Sequence, residues 1–206
     1  SWRGGWFRWL PKSRRTSRRD TVVPMTQNAL SAEDVIRALG LVPHPTEGGW
    51  YVETYRCPEE VNSTDLPSRY RGNRSFSTAI YYLLTSETVS RLHRLASDEV
   101  FHFYLGDPVV MVHLLPDGTS RMIILGHDIA AGQRPQVIVP RGTWQGAHLQ
   151  EGGKWALLGC TVSPGFDYRD YEEGSRDALV AMYPDQRETI DRLTREDEDR
   201  SPRSLP

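Results

Sequence analysis

Residues 92–106, Leu92-His93-Arg94-Leu95-Ala96-Ser97-Asp98-Glu99-Val100-Phe101-His102-Phe103-Tyr104-Leu105-Gly106, decide how this chain folds. Their apolar residues recur with a period of two, which is the mark of strands. Alternate residues of a strand share a face, so His93 and Leu95 point one way while Arg94 points the other. A turn over Ala96–Asp98 brings the chain back as a second strand, on which Glu99, Phe101 and Phe103 share a face. A later run, Pro140-Arg141-Gly142-Thr143-Trp144-Gln145, opens a further strand that carries Gln145 on one parity and His148 on the other. His102 and His148 oppose Glu99 and Gln145 in parity and are expected to face outward.

The same period extends in both directions. Segments 49–56, 75–84, 88–95, 98–105, 109–115, 120–125, 136–139, 143–149 and 155–163 are short and rich in Val, Ile, Tyr, Phe, Trp and Thr. Turn sequences such as Gly106-Asp107-Pro108, Pro116-Asp117-Gly118 and Pro164-Gly165 separate them. Many short strands at this spacing indicate an all-β fold, an antiparallel sandwich or barrel. Helices flank it: Ser31-x-x-Asp34 reads as a capping box before Val35, Ile36 and Leu39, with Gly40 as the stop. Asp185-x-x-Glu188 opens a closing helix with Ile190 and Leu193 on one side. Residues 57–73 read as a polar loop, and Gly48-Gly49 as turn geometry rather than a phosphate cradle.

Composition bounds the function. The 206 residues contain 38% hydrophobic positions and no apolar run of membrane-spanning length, so neither a membrane nor a secretory signal is expected. The net charge of −2 hides an asymmetry. Residues 1–24 hold seven basic side chains and one acid, and without them residues 25–206 carry 18 basic and 26 acidic residues, a net of −8. An acidic body argues against a nucleic-acid surface. Residues 1–29 read as a disordered basic extension, with Met25 a plausible start, residues 30–195 as one domain, and 196–206 as a disordered tail. Two cysteines, Cys57 and Cys160, suggest reduced thiols and a cytoplasmic location.

Longer stretches carry a resemblance. HPTEGGWYVETYR (44–56), FHFYLGDP (101–108), VPRGTWQGA (139–147) and LGCTVSPGFDY (158–168) look like a small-cupin family long catalogued as a domain of unknown function. It resembles the RmlC-like cupins over about residues 30–195. The resemblance implies a cupin jelly-roll β-barrel of two packed antiparallel sheets with short flanking helices, a homodimer and a small-molecule pocket, but no reaction. The cupin pattern asks for His-x-His, a Glu, a Gly, then Pro-x-Gly-x-x-His. Here the corresponding residues are His93, Leu95, Glu99, Gly106 and, in the second run, Gln145.

Two of the four ligand positions are therefore changed. Three His and one Glu would suit a divalent Mn, Fe, Ni or Zn. His93, Glu99 and Gln145, converging from three strands on a closed interior, form either a weakened metal site or a hydrogen-bonded set in a metal-free pocket. Glu99 beside His93 has the ingredients for proton transfer. Phe101, Phe103 and Tyr81 are expected walls, and Arg91, on the parity of His93, is an expected cation at the mouth for an anionic group. Three functions stay open: an isomerase- or epimerase-like enzyme on a small polar metabolite with His93 and Glu99 catalytic, a non-catalytic binding module, and a metal-dependent enzyme. The homodimer also follows from the strand at 49–56, whose aromatics Trp50, Tyr51 and Tyr55 lie on both faces.

Overall fold

The computed structural model describes residues 30–194. The extension of residues 1–29 and the tail of residues 196–206 lie outside the described residues. The described residues start with helix α1, Ala32–Leu39. Ser31 caps it by accepting from the Asp34 amide at 3.2 Å while the Asp34 carboxylate receives the Ser31 amide, and Gly40 ends it at φ 66°.

Thirteen strands follow: β1 Val42–Pro43, β2 Trp50–Arg56, β3 Glu60–Val61, β4 Arg74–Ser75, β5 Thr78–Thr85, β6 Ser90–Arg94, β7 Asp98–Gly106, β8 Val109–Leu114, β9 Ser120–Leu125, β10 Gln136–Val139, β11 Trp144–Leu149, β12 Trp155–Ser163 and β13 Glu172–Glu173. A six-stranded sheet runs β1-β2-β5-β12-β7-β10, and a five-stranded sheet runs β13-β6-β11-β8-β9. Every ladder between them is antiparallel. The two sheets pack as a jelly roll without closing into a hydrogen-bonded barrel. Where β9 and β10 would complete the ring, a single bridge joins Leu125 to Arg134.

Alternation sorts the side chains into three layers. Between the sheets lie Tyr82, Leu84, Phe101, Phe103, Met111, Val137, Ala147, Leu158 and Cys160. Outside the six-stranded sheet, Val35 of α1 packs on Leu83, Trp155 and Leu157, with Trp50 beside them. Outside the five-stranded sheet, Leu92, Val112, Leu114 and Trp144 are covered by two helices, α2 Arg176–Met182 and α3 Arg187–Leu193, through Leu179, Ile190 and Leu193, and by Tyr183 between the helices. Each sheet is thus buried on both faces over part of its area, which accounts for the apolar residues at both parities.

Candidate functional site

The chain crosses from one sheet to the other between β6 and β7, at Leu95–Ser97. Two backbone donors fasten this crossing to the start of β11: the Arg141 amide donates to Asp98 Oδ1 at 2.8 Å and the Gly142 amide to the Leu95 carbonyl at 2.9 Å. Gln145 and His93 then stand directly opposite each other on β11 and β6 of one sheet, while Glu99 reaches across from β7 of the other. The three side chains meet. The Gln145 amide nitrogen donates to Glu99 Oε2 at 2.5 Å and lies 3.3 Å from His93 Nε2. None of the three residues is more than 7% exposed.

Hydrogen bonding settles the protonation pattern of the set. His93 Nδ1 lies 2.7 Å from the Arg91 carbonyl, so it carries the proton and donates. Burial lowers the His93 pKa, which keeps the ring neutral and leaves Nε2 a bare acceptor. One N–H of Gln145 serves that acceptor and the other serves Glu99, while Gln145 Oε1 has no hydrogen-bond partner. Burial raises the Glu99 carboxyl to about 7, with His93 opposing the rise and Glu47 adding to it. Tyr171 stacks on the far face of the His93 ring, centroids 5.2 Å apart.

A second imidazole and a second carboxyl complete the cluster. His44 Nδ1 accepts the Glu47 amide at 3.0 Å, which places the His44 proton on Nε2. Glu47 Oε1 then sits 3.7 Å from both His44 Nε2 and His93 Nε2. Burial raises the Glu47 pKa and lowers that of His44. Gly48 and Gly49 both adopt positive φ, 89° and 70°, and close approach of the Val89 carbonyl to Gly48 leaves no room for a Cβ. Arg91 pins the same turn through its bond to the Thr46 carbonyl at 2.9 Å.

These groups border a cavity of about 520 Å³ over the inner face of β2, β5, β12 and β7. His44, Glu47 and Glu99 line it together with Leu95, Cys160, Ile80, Val162 and, towards the opening, Tyr51, Phe166 and Tyr168. His93 and Gln145 are not among the lining residues; they contact the two carboxyls that are. A larger depression of about 1090 Å³ beside α1 contains none of the converging residues.

Other expected positions differ. Phe101 and Phe103 belong to the core between the sheets and stop short of the cavity wall. Tyr81 faces α1 and packs edge-on against Tyr104; its neighbour Tyr82 points inward and donates to the Gly48 carbonyl at 2.8 Å. Arg91 does not line the cavity. The cation among the lining residues is Arg56, held by Glu53 through bonds of 3.0 and 2.6 Å. His44 and Glu47 were not anticipated as site residues, although the spacing His44-x-x-Glu47 ahead of two glycines was a usable signal.

The donor set does not fit a divalent metal. Leu95 supplies no ligand, and Gln145 turns its amide nitrogen, not its oxygen, toward His93 and Glu99. The His93 lone pair already accepts that N–H. Among the described residues, no three His, Cys, Asp or Glu side chains gather as a metal ion requires.

Comparison with known proteins agrees with this architecture. The family described as "Cupin superfamily (DUF985)" matches residues 33–173. The chain belongs to this cupin family. The uncharacterised protein YML079W of Saccharomyces cerevisiae is 30% identical over 158 residues, covering 72% of this cupin and 78% of the yeast protein. Protein SO0799 from Shewanella oneidensis shares 38% identity at a TM-score of 0.72, covering 82% of this cupin and 99% of the solved chain. A hypothetical protein from Leishmania major shares 34% identity at a TM-score of 0.73, covering 81% and 100%.

Proposed function

We propose that this cupin binds a small polar metabolite in the cavity and moves a proton on it, as an isomerase or epimerase does, with Glu99 as the transferring group. One observation carries the reading: a buried carboxyl at the wall of a 520 Å³ cavity, raised to about 7, where both of its protonation states are populated at neutral pH. A general acid or base works best when its pKa lies near the working pH. His93 and Gln145 act as positioning residues, the amide holding the carboxyl and the imidazole holding the amide. Two free cysteines, Cys57 and Cys160, fit a reducing, cytoplasmic setting.

The test pairs binding with chemistry. Sugar nucleotides, nucleotides and keto acids are screened by thermal shift, and each stabilising compound is recovered after incubation in D2O. Glu99→Gln keeps the shape of the side chain and removes its proton transfer. The variant is expected to bind the same compound while losing roughly 10²- to 10⁴-fold in deuterium incorporation. A compound that stabilises the wild type but returns without deuterium supports the binding module instead.

A further inference from the structure

We propose that the cavity selects a small organic cation, a protonated amine whose ammonium group reaches Glu47 and Glu99 and whose apolar body lies against Tyr51, Phe166 and Tyr168. This rests on the reading of the cavity as the site of a small polar metabolite, and it names the chemical class.

The charges that line the cavity do not balance. The carboxyls of Glu47, Glu53, Glu99 and Asp167 stand against the guanidinium of Arg56. Two of the four carboxyls are matched. Glu53 accepts from Arg56 at 3.0 and 2.6 Å, and Arg56 also donates to the Phe166 carbonyl at 3.3 Å, so its N–H groups are turned to protein acceptors. Asp167 accepts from Arg169 at 2.8 and 2.6 Å. Glu47 and Glu99 have no such match. Among the described residues neither forms an ion pair with an arginine or a lysine, and Glu99 is only 7% exposed. The imidazoles beside them, His44 and His93, have pKa values lowered by burial and bring no positive charge. A buried carboxylate without a counter-charge is costly, and burial accordingly raises both carboxyls, Glu99 to about 7. A cation set against the pair supplies the missing charge, whereas an anion would add to the repulsion.

The walls, an independent observation, fit the rest of such a molecule. Tyr51, Phe166 and Tyr168 line the cavity towards its opening, Phe166 and Tyr168 meeting edge-on with centroids 5.0 Å apart, and Ile80 and Val162 are also on the wall. Aromatic faces attract a cation and pack against an apolar or ring-bearing body. A bare metal ion needs no such wall, while a cavity of about 520 Å³ has room for an organic molecule.

Benzylamine, benzyl alcohol and benzoate, one ring carrying a positive, no and a negative charge, serve as probes in titration calorimetry. Benzylamine is expected to bind at least about tenfold more tightly than the other two, the difference one good charge pair makes. Its binding should ionise the carboxyls and release protons, read as a heat that changes with the ionisation enthalpy of the buffer. An alkylammonium stays charged between pH 6 and pH 8, so ionisation of one group with a pKa of about 7 makes affinity about tenfold higher at the upper end. Glu47→Gln and Glu99→Gln should each weaken benzylamine and leave benzyl alcohol unchanged. Equal affinity for benzyl alcohol, preference for benzoate or no binding of benzylamine overturns the cation site. Benzylamine binding without proton release overturns the part given to the two carboxyls, and this measurement needs no variant to fold. The proton-transfer reading fails separately: amines that bind but return from D2O without deuterium overturn that reading and leave the cation site standing. A keto acid or sugar nucleotide that exchanges deuterium while benzylamine fails to bind does the reverse.

Discussion

Glu99 is held in a place that favours its neutral form, and stability must register this. Its folded-state pKa of about 7 exceeds the ordinary value of 4.5. The folded protein therefore binds this proton more tightly than the unfolded chain, and the stabilisation is complete below about pH 4.5. It is lost as pH rises through 7, with a ceiling of roughly 3 kcal/mol for a shift of this size. Glu99→Gln cannot ionise and escapes the loss. Urea melts of the two proteins should agree near pH 4.5 and diverge by up to this amount at pH 8, the variant being the more stable. Equal stability at pH 8 would show that the carboxylate costs nothing where it lies.

Among elements, the strand β7 shows how a single backbone position ends a ladder. Gly106 adopts φ 97°, and a Cβ there would run into the Trp155 carbonyl of β12. Gly106→Ala meets both a strained conformation and a backbone clash, and should cost on the order of 1–3 kcal/mol. Thermal unfolding followed by circular dichroism measures it; a melting point unchanged by this variant would mean the turn moves freely. Strands of this kind were legible in the sequence because their turns are marked by Gly, Pro and Asp. The convergence of His93, Glu99 and Gln145 was legible for a related reason, since parity fixes the face of each. Tyr81 was misplaced because both faces of β5 are covered, so its alternation Ile80-Tyr81-Tyr82-Leu83 gives no contrast. Helix α2 went unseen because seven residues ahead of Pro184 are too few to show a period. The spacing His44-x-x-Glu47 ahead of two glycines marks a turn, but not that this turn folds over β6 and brings Glu47 to His93.

At the level of the whole molecule, we propose a homodimer. Trp50 is already covered by α1 and no longer argues for a partner, but Tyr55 on the same strand is 50% exposed. Among the described residues, β1 and β10 form the two edges of the six-stranded sheet, with Val42 51% and Ile138 56% exposed. Open edges bearing apolar side chains invite pairing with another chain. Light scattering at micromolar concentration should give about twice the 23.5 kDa chain mass, and a clean single-chain mass would count against pairing. No helix among the described residues is long and apolar enough to cross a membrane.

The clasp between Gln145 and Glu99 spans from one sheet to the other, so its length is set by how far apart the sheets stand. The residues that fill the space between the sheets include Phe101, Met111, Ala147 and Leu158. Close-packed interiors transmit volume changes instead of absorbing them. The core thus works as a calibrated spacer. A methyl group added or removed there alters the reach of an amide toward its carboxylate, and the acidity of Glu99 becomes a gauge of how tightly the two halves of the protein are pressed together.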